Sequence, residues 1–166
     1  MIRSQRPFLL WALFASTLAV AAYAAWTMGA LTLALTEPSH LSRVNLVLFV
    51  CTTLYAGYQF LQVGRRSAQG LPQRPAFVAA GHIKFIATQS FVIAIAGTVT
   101  CLIITYTAKV PPNMSIAEQG ARIMHDGAMG FVNTLVGAVC AGLLELQDHA
   151  LKTFAARADE IAGAQQ

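Results

Sequence analysis

Among the uncharged polar side chains inside the long apolar stretches of the sequence, four are the candidates through which chemistry could occur. They are Thr98 and Thr105 in one stretch and Asn133 and Thr134 in the next. Hydroxyl and amide groups form hydrogen bonds to an ion or a proton carrier but do not titrate near neutral pH. The residue types therefore predict a polar lining without a titratable group, and no enzymatic activity is expected.

The two threonines are predicted to lie at similar depths in neighbouring helices. Thr98 precedes Lys109 by eleven residues, which is about 16 Å along a helix that rises 1.5 Å per residue. Thr134 follows Asp126 by eight residues, which is about 12 Å at the same rise. Together with the amide of Asn133, the two hydroxyls are expected to form a polar, closely packed surface.

A proton carrier is missing from the apolar stretches. None of them contains an Asp, Glu, Lys, Arg or His residue. Proton relays through membranes use titratable side chains. If the chain takes part in proton transfer, we therefore expect another chain to supply the carboxylate.

Four uncharged apolar runs are long enough to hold these groups inside a membrane. The chain of 166 residues is 56% hydrophobic and 11% charged, whereas a soluble domain carries roughly 25% charge. A helix of about 20 apolar residues spans a bilayer, and lipid leaves the backbone no other hydrogen-bond partner. The sequence predicts an all-α membrane protein with four transmembrane helices, in the runs 7–36, 44–64, 85–108 and 127–144.

Basic residues near the helix ends predict that both termini are cytoplasmic. Eight of them fall on the inner side if the N-terminus is inside: Arg3, Arg6, Arg65, Arg66, Arg74, Lys84, Lys152 and Arg157. Only Arg43, Lys109 and Arg122 then lie outside. This bias is typical of cytoplasmic loops. The net charge of +4 would face anionic lipid head groups, and no pattern indicates nucleic-acid binding.

The first part of the chain is predicted to be a peripheral transmembrane hairpin. Residues 1–64 contain its two helices, at about 7–35 and 44–64. Only the turn 36–43 separates them, so they are expected to be antiparallel. We expect His40, which lies in this turn, to be a solvated loop histidine.

The second part is predicted to hold the helix pair that would form the pore if the chain conducts protons. Residues 85–145 contain helices at about 85–108 and 127–145, joined by the outer loop 109–126. Residues 115–118 match a capping box that starts a helical turn within this loop.

The remaining segments are predicted to be cytoplasmic. Residues 65–84 form a short connector, of which 75–84 is expected to be a short interfacial helix. Residues 146–166 form a helical tail, because apolar residues continue there at helical spacing.

Small residues predict that the two pore helices pack closely. Such residues allow helix backbones to approach each other in a membrane. They are Gly97 in the first helix and Gly127, Gly130, Gly137 and Ala141 in the second.

Two motifs in this region resemble the MotA/TolQ/ExbB proton-channel family. That family carries a Gly-Thr-Val in one pore helix, which Gly97-Thr98-Val99 matches. Its next helix has a small-residue pattern around a threonine and a glycine, which GFVNTLVGA at 130–138 is similar to. The resemblance covers about residues 85–145, and the chain resembles a minimal, four-span member that lacks the family's large cytoplasmic region.

The resemblance implies a proton-motive-force-driven stator or energy transducer in the bacterial inner membrane. Five copies would surround a dimer of a single-span partner of the ExbD, TolR or MotB type. A transmembrane aspartate of that partner would face Thr98 and Thr134, and its protonation would drive rotation of the pentamer. Protein transport is one process that such complexes power.

Two other classes of function are open. The first is a structural or accessory four-helix subunit, in which the small residues only pack helices. The second is a haem protein, which would need histidines paired across helices at mid-depth. All four histidines lie at or outside the predicted span ends, so neither a cofactor nor a metal is expected: His40, His82, His125 and His149.

Overall fold

In the computed structural model, which describes residues 2–107 and 114–163, five helices follow one another along the chain. They are α1 (Ile2–Thr27), α2 (Ala30–Thr36), α3 (Leu41–Ala68), α4 (Arg74–Thr107) and α5 (Ile116–Gly163). All except α2 contain a stretch long and apolar enough to cross a membrane. This confirms the predicted all-α class and the four apolar helices, which are consistent with a multi-pass membrane protein.

The first apolar run forms two helices, whereas a single helix was expected over 7–35. The break lies at Gly29, whose φ of 78° is in the left-handed region. Glycine adopts this conformation readily because it has no Cβ. The short α2 therefore leaves the line of α1 and leads the chain towards the start of α3.

The connector expected over 65–84 is shorter in the structure. α3 continues to Ala68 and α4 already begins at Arg74. Gly70, with φ 65°, ends α3 in the left-handed conformation common after helix termini. The residues expected to form an interfacial helix are the first turns of α4, since Pro75 is tolerated in a first turn, where its missing N–H has no partner to lose.

The last helix is continuous over 48 residues, from Ile116 to Gly163. The predicted capping box starts it: the Ser115 N–H donates to Glu118 Oε2 at 2.8 Å, and the Glu118 N–H donates to Ser115 Oγ at 3.3 Å. The helix also continues well past Leu144, as the spacing of apolar residues predicts. Of the outer loop expected over 109–126, the residues from Ile116 on are helical.

The core lies between α3, α4 and α5. α4 and α5 pack against each other along their length, and α3 packs against both. Alanines that are fully buried or nearly so let the backbones approach: Ala56, Ala80, Ala87 and Ala155. α1 lies outside this core against α3, where the Trp11 indole covers Gly57 so closely that a Cβ there would overlap it.

Candidate functional site

The hydroxyl groups of Thr98 and Thr134 face each other across α4 and α5. Their oxygens are 2.6 Å apart, and Thr98 Oγ1 is also 2.7 Å from the Gly130 carbonyl oxygen. A hydroxyl has one hydrogen to donate. The network is complete when Thr98 donates to the Gly130 carbonyl and Thr134 donates to Thr98. The two groups are at the same level, as their predicted depths require.

Antiparallel packing of α4 and α5 brings the threonines together. Gly130 lies opposite Thr98 and Cys101, and a Cβ at Gly130 would be 3.3 Å from Cys101 Cβ. Two turns further along α5, a Cβ at Gly137 would come within 2.1 Å of Ala94 Cβ. Any larger residue at Gly137 would therefore separate the two helices.

The other three small residues that were predicted to pack closely differ in how near they lie to other atoms. A Cβ at Gly97 would approach the Asn133 side chain within 2.8 Å, so this glycine is a close contact. A Cβ at Gly127 would meet no other atom within 4 Å. Ala141 is half-buried and packs against the apolar core.

The threonine pair lies at the edge of the helix pair, where both side chains are half-buried. Exposed apolar side chains flank it on α5, where Phe131 and Leu135 are each 66% exposed. On α4, Val99 is 49% exposed. The pair is therefore a polar spot within an apolar face that α1 and α3 leave uncovered.

Thr105 lies two helical turns from Thr98, on the same face of α4. Its hydroxyl donates to the Cys101 carbonyl at 2.8 Å. The side chain lines a cleft of about 70 Å³ between α4 and α5. Arg122 and Asp126, whose charged atoms are 3.5 Å apart, line the same cleft.

Asn133 is fully buried, although its neighbour Thr134 is only half-buried. Its Nδ2 donates to Ser39 Oγ at 3.0 Å, and the Ser42 hydroxyl donates to its Oδ1. Successive residues of a helix point about 100° apart at 3.6 residues per turn. The structure therefore places Asn133 in the interior of the bundle and not beside the threonine hydroxyls.

The structure also buries a carboxyl group in the turn 36–43, where only the exposed His40 was predicted from the sequence. Glu37 has no exposed surface. Its Oε1 accepts hydrogen bonds from the Ser39 N–H and the Cys101 thiol, both at 2.6 Å. His40, with φ 59°, turns the chain from this residue into α3. The turn 36–43 is therefore folded against the bundle.

A sequence signal for this burial existed on the following helix. Ser42, Asn45 and Thr52 recur at spacings that put them on one face of α3, because side chains three, four and seven residues apart share a face. All three are buried. A stripe of polar residues that faces the core indicates that an acidic residue just before it finds polar neighbours in the interior.

The surroundings of Glu37 act on its pKa in opposite directions. Burial raises the pKa of the carboxyl, because it disfavours the charged form. Hydrogen bonds from the Cys101 thiol and the Ser39 N–H, with the nearby amide of Asn133, lower the pKa by more, so that it lies below its ordinary value. The carboxyl group is therefore ionised at neutral pH.

Comparisons of the chain with protein-family models, with curated proteins and with solved structures find no match. What the chain does must therefore follow from its own contacts. Two of these involve groups that can exchange a proton or hold its carrier. They are the hydroxyl pair on the open face of α4 and α5, and the buried carboxyl between α3, α4 and α5.

Proposed function

We propose that this chain is the pore-forming subunit of a proton-driven stator or energy transducer of the MotA/TolQ/ExbB type. Five copies surround a dimer of a single-span partner, and a transmembrane aspartate of the partner carries the proton. The contact between Thr98 and Thr134 is the observation that carries this proposal. It supplies two hydroxyls at one level on an otherwise apolar face.

The hydroxyl pair suits a group that alternates between two protonation states. A hydroxyl both donates and accepts hydrogen bonds. Thr134 can turn its hydrogen from Thr98 to an ionised aspartate, and it can accept a hydrogen bond from the protonated acid. The pair thus stabilises both states of the partner's carboxyl group without itself titrating.

The apolar surroundings of the pair suit a helix of the partner. Phe131 and Leu135 are exposed on the face of α5 beside Thr134, at positions one turn apart. A single-span helix or a neighbouring copy would cover them. In that water-poor contact a hydrogen bond to an ionised carboxyl is strong, because little solvent competes with it.

The cleft beside Thr105 supports a route by which protons reach the pair. Arg122 and Asp126 give it a charged lining, and Thr105 continues the polar lining along α4 towards Thr98. Protons enter through this cleft, pass to the partner's aspartate at the hydroxyl pair, and leave on the other side after the pentamer has turned. Both termini are then cytoplasmic, in a bacterial inner membrane.

One observation favours a second candidate, a non-conducting structural subunit of a larger complex. The two hydroxyls and the Gly130 carbonyl form hydrogen bonds with one another within the chain. Hydroxyls that bond to a neighbouring helix also stabilise helix pairs that conduct nothing. The two candidates differ in what removal of a hydroxyl does to proton transfer.

Threonine-to-alanine variants distinguish these candidates. Thr98→Ala and Thr134→Ala are expressed with the native partners, and proton uptake is followed with a pH-sensitive dye in membrane vesicles under an imposed potential. We expect uptake to fall about tenfold or more, because a hydrogen bond to a charged group contributes about 1.5–3 kcal/mol.

Thr88→Ala is the matched control, since Thr88 is an exposed threonine of the same helix that bonds only to the Lys84 carbonyl. We expect this variant to retain the uptake of the unaltered protein. Full uptake in both pore variants would contradict the proposed function and favour the structural subunit.

A further inference from the structure

A second polar site lies inside the protomer, on the buried side of α5. It centres on Glu37. One oxygen of its carboxyl group accepts hydrogen bonds, and the other has no partner among the described residues. Oε1 accepts two hydrogen bonds, whereas Oε2 has no partner within residues 2–107 and 114–163. A buried ionised carboxylate is unfavourable unless its oxygens are compensated. Oε2 is therefore a position at which a ligand would be stabilised.

The chemistry around Oε2 selects a proton as that ligand. The neighbouring side-chain oxygens are already used, since Ser39 Oγ accepts from Asn133 Nδ2 and Asn133 Oδ1 accepts from Ser42. A bound metal cation needs several oxygen ligands. Within the described part of the chain, no group of three or more His, Cys, Asp or Glu side chains is arranged to hold one. A proton needs only the one free oxygen.

More unsatisfied polar groups lie in the same interior. Asn45 and Ser90 are fully buried, and neither the amide atoms of Asn45 nor the hydroxyl of Ser90 has a side-chain or backbone partner among the described residues. The two lie close together, because a Cβ at Gly137 would be 3.2 Å from Asn45 Nδ2 and 2.9 Å from the Ser90 carbonyl oxygen. The polar interior therefore extends from Glu37 and Asn133 to Asn45 and Ser90.

Apolar side chains bound the polar interior on the side away from α2. Ala87, one turn along α4 from Ser90, and Leu144, two turns along α5 from Gly137, are both fully buried. These apolar side chains separate the polar interior from the far end of α5. A proton therefore reaches the site from the end of the bundle at which α2 lies.

Few other titratable groups face Glu37. Cys101 contacts it from α4, and α4 has no further ionisable side chain between Lys84 and Tyr106. On the loop and α3, His40 and Arg43 are exposed, and the Arg43 guanidinium donates to the Leu35 carbonyl. α2 contributes none, and on α5 the span 127–144 contains only Cys140.

We propose that Glu37 is a proton-binding site of the protomer itself, loaded from the α2 end of the bundle, and that Asn133, Asn45 and Ser90 continue its polar surroundings inwards. This inference does not rest on the proposed function, because it requires neither five copies nor a partner's carboxylate. It adds a titratable group to a chain whose apolar runs contain no acidic or basic residue and no histidine. Asn133, which donates to Ser39 and Cys101 beside this group, is one residue from Thr134 on α5.

Infrared difference spectroscopy of the full chain in detergent tests the proposal. The protein is prepared with ¹³C in the side-chain carboxyl of its four glutamates, so that their bands separate from those of aspartate. Spectra are recorded from about pH 8 to about pH 3, a range that spans the ordinary glutamate pKa of 4.5. We expect one carboxylic-acid band at a frequency different from those of the other three glutamates, because Glu37 alone of the four is buried.

The variant Glu37→Gln should lose this band, and Glu145→Gln, at an exposed position of α5, should keep it. Cys101→Ala retains the carboxyl group but removes a donor to its ionised form. Its titration midpoint should therefore rise by about one pH unit or more. If Glu37→Gln does not fold, the midpoint of Cys101→Ala still tests the proposal.

Three results would overturn the proposal. The first is a distinct carboxylic-acid band that persists in Glu37→Gln, and the second is a midpoint that Cys101→Ala leaves unchanged. The third is a midpoint that sodium chloride lowers and choline chloride at equal concentration does not, which would make the site a metal-cation site.

Discussion

The side chain of Asn133 on α5 rests directly over Gly97 of α4: a Cβ at Gly97 would lie 2.8 Å from both Asn133 Cγ and Nδ2. This contact joins the two polar sites of the chain. Thr98 follows Gly97 on α4, and Thr134 follows Asn133 on α5. A change in the hydrogen bonds around Glu37 therefore acts on the same two helix segments that carry the hydroxyl pair.

Substitution of Gly97 tests whether the Asn133 side chain packs closely against this residue. Gly97→Ala should push Asn133 away from Ser39, because the added methyl group overlaps its carboxamide. Overpacking of this kind typically destabilises a protein by about 1–3 kcal/mol. The unfolding temperature in detergent should therefore fall.

Gly81→Ala is the control for this prediction, since Gly81 lies on the same helix with open space around it. Alanine in a helix is favoured over glycine by about 1 kcal/mol, so this variant should be at least as stable as the unaltered chain. Equal stability of the two variants would show that Asn133 does not pack on Gly97.

The closest approach of α4 and α5 lies at Gly137. Gly137→Ala should separate the helices, because its methyl group would meet Ala94 Cβ within 2.1 Å. We expect a lower unfolding temperature and partial recovery when Ala94→Gly is added. Recovery is only partial because the Ser90 carbonyl oxygen, 2.9 Å away, remains in place.

Gly127→Ala provides the comparison on α5, where an added methyl group meets no atom within 4 Å. It should not lower the unfolding temperature. If Ala94→Gly fails to rescue Gly137→Ala at all, the register between the two helices is different from the one described.

The buried carboxyl group should make the fold sensitive to acid. The pKa of Glu37 is lower in the folded chain than its ordinary value of 4.5. A group with a depressed folded-state pKa adds stability that is present above its unfolded pKa and is lost as the pH falls through the folded pKa. The unfolding temperature should therefore decrease below about pH 4.5.

The slope of this decrease should be smaller in Glu37→Gln, whatever the stability of that variant at neutral pH. Glu145→Gln, at an exposed position, should keep the full slope. An unchanged slope in Glu37→Gln would mean that the carboxyl group titrates alike in the folded and unfolded chains.

The capping box at the start of α5 should stabilise its first turn. Ser115→Ala removes the hydroxyl that accepts from the Glu118 N–H, and the loss of an N-cap typically destabilises a helix by about 1 kcal/mol. Hydrogen exchange of the amides that follow Ser115 should become faster, whereas exchange near Gly137 should not change. Unaltered exchange throughout α5 would show that the cap is not formed.

Much of this fold follows from local sequence. Long uncharged runs require helices in lipid, and the capping box and the apolar spacing beyond Leu144 predicted where α5 begins and how far it continues. The meeting of Thr98 and Thr134 also follows, because the rise per residue sets their depths and small residues let α4 and α5 approach.

The inward position of Glu37 was not predictable in the same way. It depends on the turn made by Gly29 and on the left-handed φ of His40, which together carry a polar turn back onto the bundle. The direction of Asn133 is a similar case. Adjacent residues of one helix face different neighbours, and only the packing of α3 decides which of Asn133 and Thr134 is enclosed.

The central claim, that the chain forms a pentameric pore around a partner dimer, is tested most directly by native mass spectrometry. The complex is extracted from its own membrane and its mass is compared with multiples of the 17.7 kDa chain. The proposed function predicts five copies of the chain, with two copies of a smaller protein that carries an intramembrane aspartate. A mass that corresponds to one or two copies of the chain would contradict it.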